Sequence, residues 1–241
     1  MKPRSMDDIL AAIALYRPGP MDSIPKYIAG RNHPESVKYE VPALKPILSS
    51  TYGCIVYQEQ VMTILRELGG FSFGHADIVR RAMSKKKASA MESERKAFVQ
   101  GVCEKGVPES TADHLFDEMA AFANYAFNKS HAAAYAVIAY RTAYLKAHYP
   151  REYFAALLTS VLDSQEKMAE YIADCEKRGI HVMPPDINKS NIYFHVSDNE
   201  IRFGLAALKN VGRQFVASIL EERQRAPFRS FEDFVQRMTG H

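Results

Sequence analysis

Apolar positions along this chain recur mostly at three- and four-residue intervals, the spacing that gathers them on one face of a helix. Residues 7–16 follow it, with Asp7 and Asp8 in the first turn, where carboxylates suit the positive end of the helix dipole. Arg17-Pro18-Gly19-Pro20 stops that helix, because neither proline nor glycine continues one cheaply. A proline-punctuated connector follows, to about Pro46. Past Tyr52-Gly53, the apolar start Cys54-Ile55-Val56-Tyr57 leads into a helical pattern through Val61, Ile64, Leu65 and Leu68, ended by Gly69-Gly70. Residues 74–84, 88–105 and 110–126 each predict a helix, separated by the lysines at 85–87 and by Gly106 and Pro108. A long helix is predicted from Ser130 to Tyr149, closed by Pro150, and another from Arg151 to Leu162. Asp163, with Glu166 three residues on, predicts a capping-box start for a further helix that Gly179 closes.

The period then shortens to two. Ile192, Phe194 and Val196 alternate, Ser197-Asp198-Asn199 supplies turn chemistry, and Ile201 and Phe203 alternate again, which predicts a hairpin. From Leu205 the pattern returns to helix, with a break at Pro227. The fold class expected is therefore mainly α: a many-helix body, a small β-hairpin element near 180–204, and a C-terminal helical unit expected to continue past His241. No low-complexity segment or convincing internal repeat interrupts it.

Composition narrows the function classes. The chain has 241 residues, 47% hydrophobic and 24% charged, enough apolar content for a sizeable core and too much for disorder. The net charge of +3 does not by itself declare a nucleic-acid binder, so that case rests on clustering. Cys54, Cys103 and Cys175 are far apart and odd in number, which fits a reducing cytoplasm and offers neither a zinc site nor a disulfide framework. The N-terminus is polar and soon acidic, unlike a secretory signal. The most apolar stretch, Ala132 to Tyr140, is too short to span a bilayer, so no membrane partner is expected. Tryptophan is absent, leaving Tyr and Phe to supply any stacking surface.

Three segments carry candidate chemistry. Arg80-Arg81-Ala82-Met83-Ser84-Lys85-Lys86-Lys87 places five cations in eight residues, with no acid between Ile78 and Met91. On a helix Arg81 and Lys85 share a face, and like charges so spaced cost roughly 0.2–0.5 kcal/mol unless an anion lies between them. Such a cluster suits a triphosphate or a nucleic-acid backbone; the plainer alternative is a solvated helix end with lysines at the negative end of the dipole. Phe127-Asn128-Lys129-Ser130-His131 opens the long helix, where Asn128 or Ser130 can cap and where exposed N–H groups with Lys129 make an anion site. His131 and Tyr135 are four apart, on one face where a base could stack, although from these letters alone a cap followed by an ordinary packing helix is the stronger reading. Lys209-Asn210-Val211-Gly212-Arg213 is spaced like the turn of a helix-hairpin-helix, which offers backbone N–H groups to a DNA phosphate. Asn210 stands where that motif's first glycine would be, and asparagine is the next most tolerant residue of left-handed backbone. A simple turn between helices is the alternative. The histidines are scattered, without an HxxxH pair, so neither a metal nor a nucleophile pairing is indicated.

Several runs, in order, resemble the C-family replicative DNA polymerases of bacteria, the DNA polymerase III alpha subunits. They are Ala14-Leu15-Tyr16-Arg17-Pro18-Gly19-Pro20, Tyr52-Gly53 with Tyr57-Gln58-Glu59-Gln60-Val61-Met62, Arg80-Arg81-Ala82-Met83, Phe127-Asn128-Lys129-Ser130-His131 with Ala133-Ala134-Tyr135, and Leu145-Lys146-Ala147-His148-Tyr149-Pro150. Pro184-Pro185-Asp186-Ile187-Asn188 and Gly204-Leu205 with Val211-Gly212 extend the likeness. The resemblance implies a multi-helix fingers region that grips the incoming deoxynucleoside triphosphate and the primer-template, with the start of a helix-hairpin-helix unit behind it. The division it implies is a palm–fingers connector over 1–46, a helical fingers domain over 47–179, a β element over 180–204 and a partial helix-hairpin-helix unit over 205–241. Arg80, Arg81, Lys85, Lys86, Asn128, Lys129, His131 and Tyr135 would then face the nucleotide, and Lys209, Asn210, Val211, Gly212 and Arg213 the duplex.

By the same resemblance, catalysis belongs to a palm upstream of this segment, whose aspartates bind two magnesium ions. No acidic cluster of that kind stands here: Asp7-Asp8 starts a helix and Asp186 lies in a proline turn. No catalytic residue or metal ligand is expected in the fragment, and alone it is expected not to extend a primer. Its implied partners are DNA, deoxynucleotides, the rest of the polymerase and replisome subunits such as the sliding clamp, in a bacterial cytoplasm at the nucleoid. The rival expectation is a non-catalytic helix-hairpin-helix DNA-binding module.

Overall fold

Ser5 opens the first helix: its Oγ accepts the N–H of Asp8, and α1 runs Met6–Leu15. In this computed structural model, which describes residues 1–84 and 88–240, the chain packs as two units, Met1–Tyr140 and Arg141–His241. Among the described residues there are twelve α-helices and one three-stranded sheet. No described helix is long and apolar enough to cross a membrane.

In the first unit α1 is followed by α2 (Ile24–Asn32), α3 (Lys45–Leu48), α4 (Gln58–Glu67), α5 (Phe73–Ser84), α6 (Ala88–Cys103) and α7 (Glu109–Ala123). The unit ends within α8 (Lys129–His148). One core lies among α3 to α7, built on Leu65, Val79, Phe98, Phe116 and Met119. A second joins α1, α2, the 54–57 segment and the small face of α8, with Leu15, Tyr27, Val56, Ala132 and Ala136 at its centre. Alanines four apart bring α8 close to that core, in the way small side chains permit.

The connector holds a helix that its prolines conceal. Pro25 stands in the first turn of α2, where a missing N–H costs nothing, so proline starts this helix instead of breaking it. α2 buries Tyr27, whose hydroxyl donates to Asp8 Oδ1 at 3.0 Å. The nearly fully buried Asp8 also accepts the Arg4 N–H at 2.8 Å and faces Arg31 at 3.4 Å. Burial pushes the Asp8 carboxyl up, but these donors outweigh it and the pKa lies below its ordinary value.

The second unit continues through α9 (Pro150–Ser160), α10 (Gln165–Lys177), β1 (Val182–Met183), β2 (His195–Ser197), β3 (Glu200–Arg202), α11 (Arg213–Arg225) and α12 (Phe231–Met238). The predicted hairpin is β2–β3, in register His195↔Arg202 and Val196↔Ile201. Its turn residues Asp198 and Asn199 both take positive φ, 51° and 63°. The sheet order is β1-β3-β2, with β1 parallel to β3, a pairing too short to leave a period in the sequence. The α10 cap is Ser164, which accepts the Lys167 N–H, and not Asp163 as the spacing suggested.

Leu205–Ala207 forms one 3₁₀ turn, not the α-helix expected from Leu205 onward. Gly204 explains the departure: a Cβ there would lie 2.5 Å from the Tyr193 carbonyl carbon, because two backbone segments cross at this point. Asn188 clamps the break at Pro227 by donating to Phe228 O at 2.9 Å and accepting the Phe228 N–H at 2.8 Å. Arg223 adds donations to Ile187 O and Ser190 O. The Pro184–Asn188 run is therefore a structural staple for the C-terminal helices.

Candidate functional site

Two runs seventy residues apart form one joint. Gln58 N–H donates to Phe127 O at 2.9 Å and Phe127 N–H to Val56 O at 3.1 Å, a bridge of parallel type between Tyr57 and Phe127. The Gln58 amide donates to Ala126 O at 3.0 Å. Beneath the joint the buried Gln60 side chain satisfies four groups: its Oε1 accepts the N–H groups of Val56 and Tyr57, and its Nε2 donates to Thr51 Oγ1 and Ile47 O. Burial, then the nearby charges of Asp7 and Glu59, push the Tyr57 phenol well above its ordinary pKa.

The joint sets the opening of α8. Asn128, not Ser130, caps it, accepting the His131 N–H at 2.9 Å. The Lys129 N–H donates to both Glu59 oxygens, at 3.0 and 3.1 Å. A carboxylate of the chain itself thus already sits at this N–H. An outside anion would meet the Lys129 ammonium instead, which lies 5.4 Å from the Tyr57 ring centre. Glu59 and Lys129 also line an open groove of about 610 Å³ with Ile47, Ser50, Thr63 and Glu67.

From the same opening a file of rings runs outward. The Phe127 and His131 rings are 5.6 Å apart, and His131 and Tyr135 4.7 Å. Tyr135 is 55% exposed, so a flat ligand has access to the end of the file. At the inner end the Arg17 guanidinium lies 4.8 Å from the Phe127 ring centre. The spacing of His131 and Tyr135 was legible. Arg17, Tyr57, Glu59, Gln60 and Phe127 were present in the runs that carried the resemblance, but no periodicity links positions so far apart.

Arg80 and Arg81 lie on α5 and share one partner. Arg80 donates through Nε and Nη2 to Asp77 Oδ1, at 3.2 and 2.7 Å, while Arg81 Nη2 is 2.8 Å from Asp77 Oδ2. The Arg80 hydrogen bonds hold the Asp77 carboxyl below its ordinary pKa, reinforced by the charges of both arginines. An acid thus balances the cluster from just before the acid-free stretch that begins at Ile78. The Arg80 side chain is 14% exposed and that of Arg81 68%, so Arg81 offers the more accessible cation. Lys85 and Lys86 lie outside the described residues. Neither arginine lines the groove that contains Lys129.

In the second unit Asn210 takes the left-handed conformation, φ 66°. Gly212 is extended at φ −71° and caps α11 without a side chain, and a Cβ there would meet nothing within 4 Å. Lys209, Asn210, Gly212 and Arg213 are exposed, while Val211 packs on the core formed with Val216, Ile219 and Phe228. This leaves an open α11 start, flanked by two cations, of the kind a backbone phosphate fits. Among the described residues no three His, Cys, Asp or Glu side chains cluster to hold a metal ion.

Residues 1–106 match the bacterial DNA polymerase III alpha subunit finger domain, and residues 179–241 a helix-hairpin-helix motif. The chain is 52% identical over 99% of its length to a DNA polymerase III subunit alpha of Thermus aquaticus, covering 20% of that protein. It is 50% identical to the corresponding subunit of Deinococcus radiodurans, over 99% of this chain and 18% of that one. The subunit of Halalkalibacterium halodurans is 45% identical over 100% of this chain and 22% of its own length. The chain thus spans about a fifth of the length of these relatives.

Proposed function

Because this chain belongs to the bacterial DNA polymerase III alpha subunit family, with a finger domain and a helix-hairpin-helix motif, we propose that it grips the incoming deoxynucleoside triphosphate and the primer-template of a DNA-directed DNA polymerase. The observation that carries the reading is the joint between Tyr57–Gln60 and Phe127–His131. It fixes a helix opening where the Lys129 ammonium and the adjoining His131 and Tyr135 rings, tilted 54° to one another, are presented together. A triphosphate suits the cation, and a base suits the exposed ring. Arg81, with Lys85 and Lys86, supplies further charge for phosphates. The second unit would hold duplex backbone at the Asn210–Arg213 turn without reading sequence.

In this reading bond formation belongs to a palm elsewhere in the polymerase, where magnesium would activate the primer hydroxyl and stabilise the leaving pyrophosphate. The fragment contributes binding and orientation only, in a bacterial cytoplasm and alongside replisome subunits such as the clamp. Matches across nearly the whole chain favour this over a free-standing DNA-binding module.

The test is steady-state kinetics of the full-length polymerase carrying Arg81→Ala with Lys85→Ala, and separately His131→Ala. Each is expected to raise nucleotide KM or lower kcat by roughly ten- to a hundredfold. Wild-type kinetics with an intact fold would remove those residues from the site.

A further inference from the structure

Arg17 is tied into the first unit at three points. Its Nε donates to Ala14 O at 2.8 Å, in the last turn of α1, and its Nη2 donates to Tyr125 O just past α7. Its guanidinium face covers Phe127. The Ala14 carbonyl is of the kind a helix leaves unpaired at its C-terminal end, and one arginine fork ties it to the segment that follows α7. The turn that carries Arg17 is held from the other side. Gly19 has φ +97°, and a Cβ there would lie 2.5 Å from Cε1 of Tyr125, so the ring packs directly on glycine backbone.

We infer that Arg17 is a positioning residue for the His131–Tyr135 face, acting through Phe127; this rests on the nucleotide-binding reading above. The path is contiguous: guanidinium on Phe127, Phe127 against His131, His131 against Tyr135. A cation over a ring attracts it, and the two carbonyl bonds keep that cation from following the ring if it moves. Phe127 is further held by its bridge to Tyr57, so its backbone is fixed and Arg17 governs the ring. Since His131 has an exposed flank, its orientation depends on this inner contact more than on burial. The effect belongs to ground-state binding, so it falls on KM more than on kcat.

The experiment uses the full-length polymerase with Arg17→Ala, Arg17→Lys, Phe127→Leu and the Arg17→Ala/Phe127→Leu double variant. Acylation of His131 by diethyl pyrocarbonate is followed by mass spectrometry without nucleotide, with His75 as internal control, beside nucleotide KM and kcat. Arg17→Ala is expected to change the His131 rate roughly threefold or more, leave His75 unchanged, and raise KM about tenfold with a much smaller change in kcat. Phe127→Leu should reproduce both effects, the double variant should be no worse than either, and Arg17→Lys should recover part of the loss.

An unchanged His131 rate in folded Arg17→Ala, or additive effects in the double variant, overturns the inference. If Arg17→Ala does not fold, Phe127→Leu decides alone, and an unchanged His131 rate there overturns it. Should His131→Ala leave KM unaltered, the nucleotide reading falls, while the acylation rate still reports whether Arg17 sets the ring.

Discussion

Gln60 shows how one side chain can hold a site it does not touch. Its amide satisfies two buried N–H groups where the chain enters α4, and donates to two acceptors in the segment before it. Gln60→Leu keeps the volume but leaves the Val56 and Tyr57 N–H groups buried without partners, each costing on the order of 1–3 kcal/mol. The expected loss is about 2–4 kcal/mol in urea unfolding of the chain. A loss below about 0.5 kcal/mol, the range of an ordinary surface change, would show that water replaces the amide. In the sequence this glutamine is indistinguishable from Gln58 two positions earlier, because burial alone separates their roles. Arg80 and Arg81 teach the same lesson: a cation-rich run looks unpaired until the helix places Asp77 under both.

At the scale of elements, helix existence was legible wherever the apolar stripe was long, and the ends were legible where glycine or proline had a local reason. Gly70 ends α4 at φ +73°, a conformation glycine takes without steric cost. Gly69 has another reason, invisible locally. It lies where α6 comes closest, and a Cβ on Gly101 would run into the Gly69 carbonyl while one on Gly69 would run into Phe98. In an exposed helix Gly→Ala stabilises by roughly 1 kcal/mol. Gly101→Ala is expected to do the reverse, lowering stability by about 1–3 kcal/mol, because backbone cannot move aside as a side-chain tip can. Thermal or urea unfolding checks the sign, and a stabilised variant would mean that the contact yields. The missed α2 has a related cause: Pro25 reads as a breaker unless it is known to stand in a first turn.

At the scale of the whole chain, each unit carries its own candidate contact with an anion. In the second unit that contact is a helix start without a side-chain cap, between Lys209 and Arg213. Phosphate binding of this sort releases counterions, so duplex affinity of the chain should fall steeply with salt. Lys209→Ala with Arg213→Ala is expected to weaken duplex binding for all sequences alike and to reduce the slope of log K against log salt by about two. Fluorescence anisotropy over a salt series measures both. An unchanged slope would place the duplex contact elsewhere, and a sequence-dependent loss would mean base contacts.

The order of the chain's letters alone determined that it is mainly helical, that a hairpin interrupts the helices within 180–204, and that it resembles replicative polymerases. Those properties depend on local periodicity, turn chemistry and ordered runs, all of which are carried by neighbouring residues. Tertiary structure alone decided that Glu59 occupies the α8 N–H position, that Asp77 gathers both arginines, and that Arg17 reaches Phe127. These depend on which surfaces meet when apolar faces are buried, and that choice is made by packing between segments up to about a hundred residues apart.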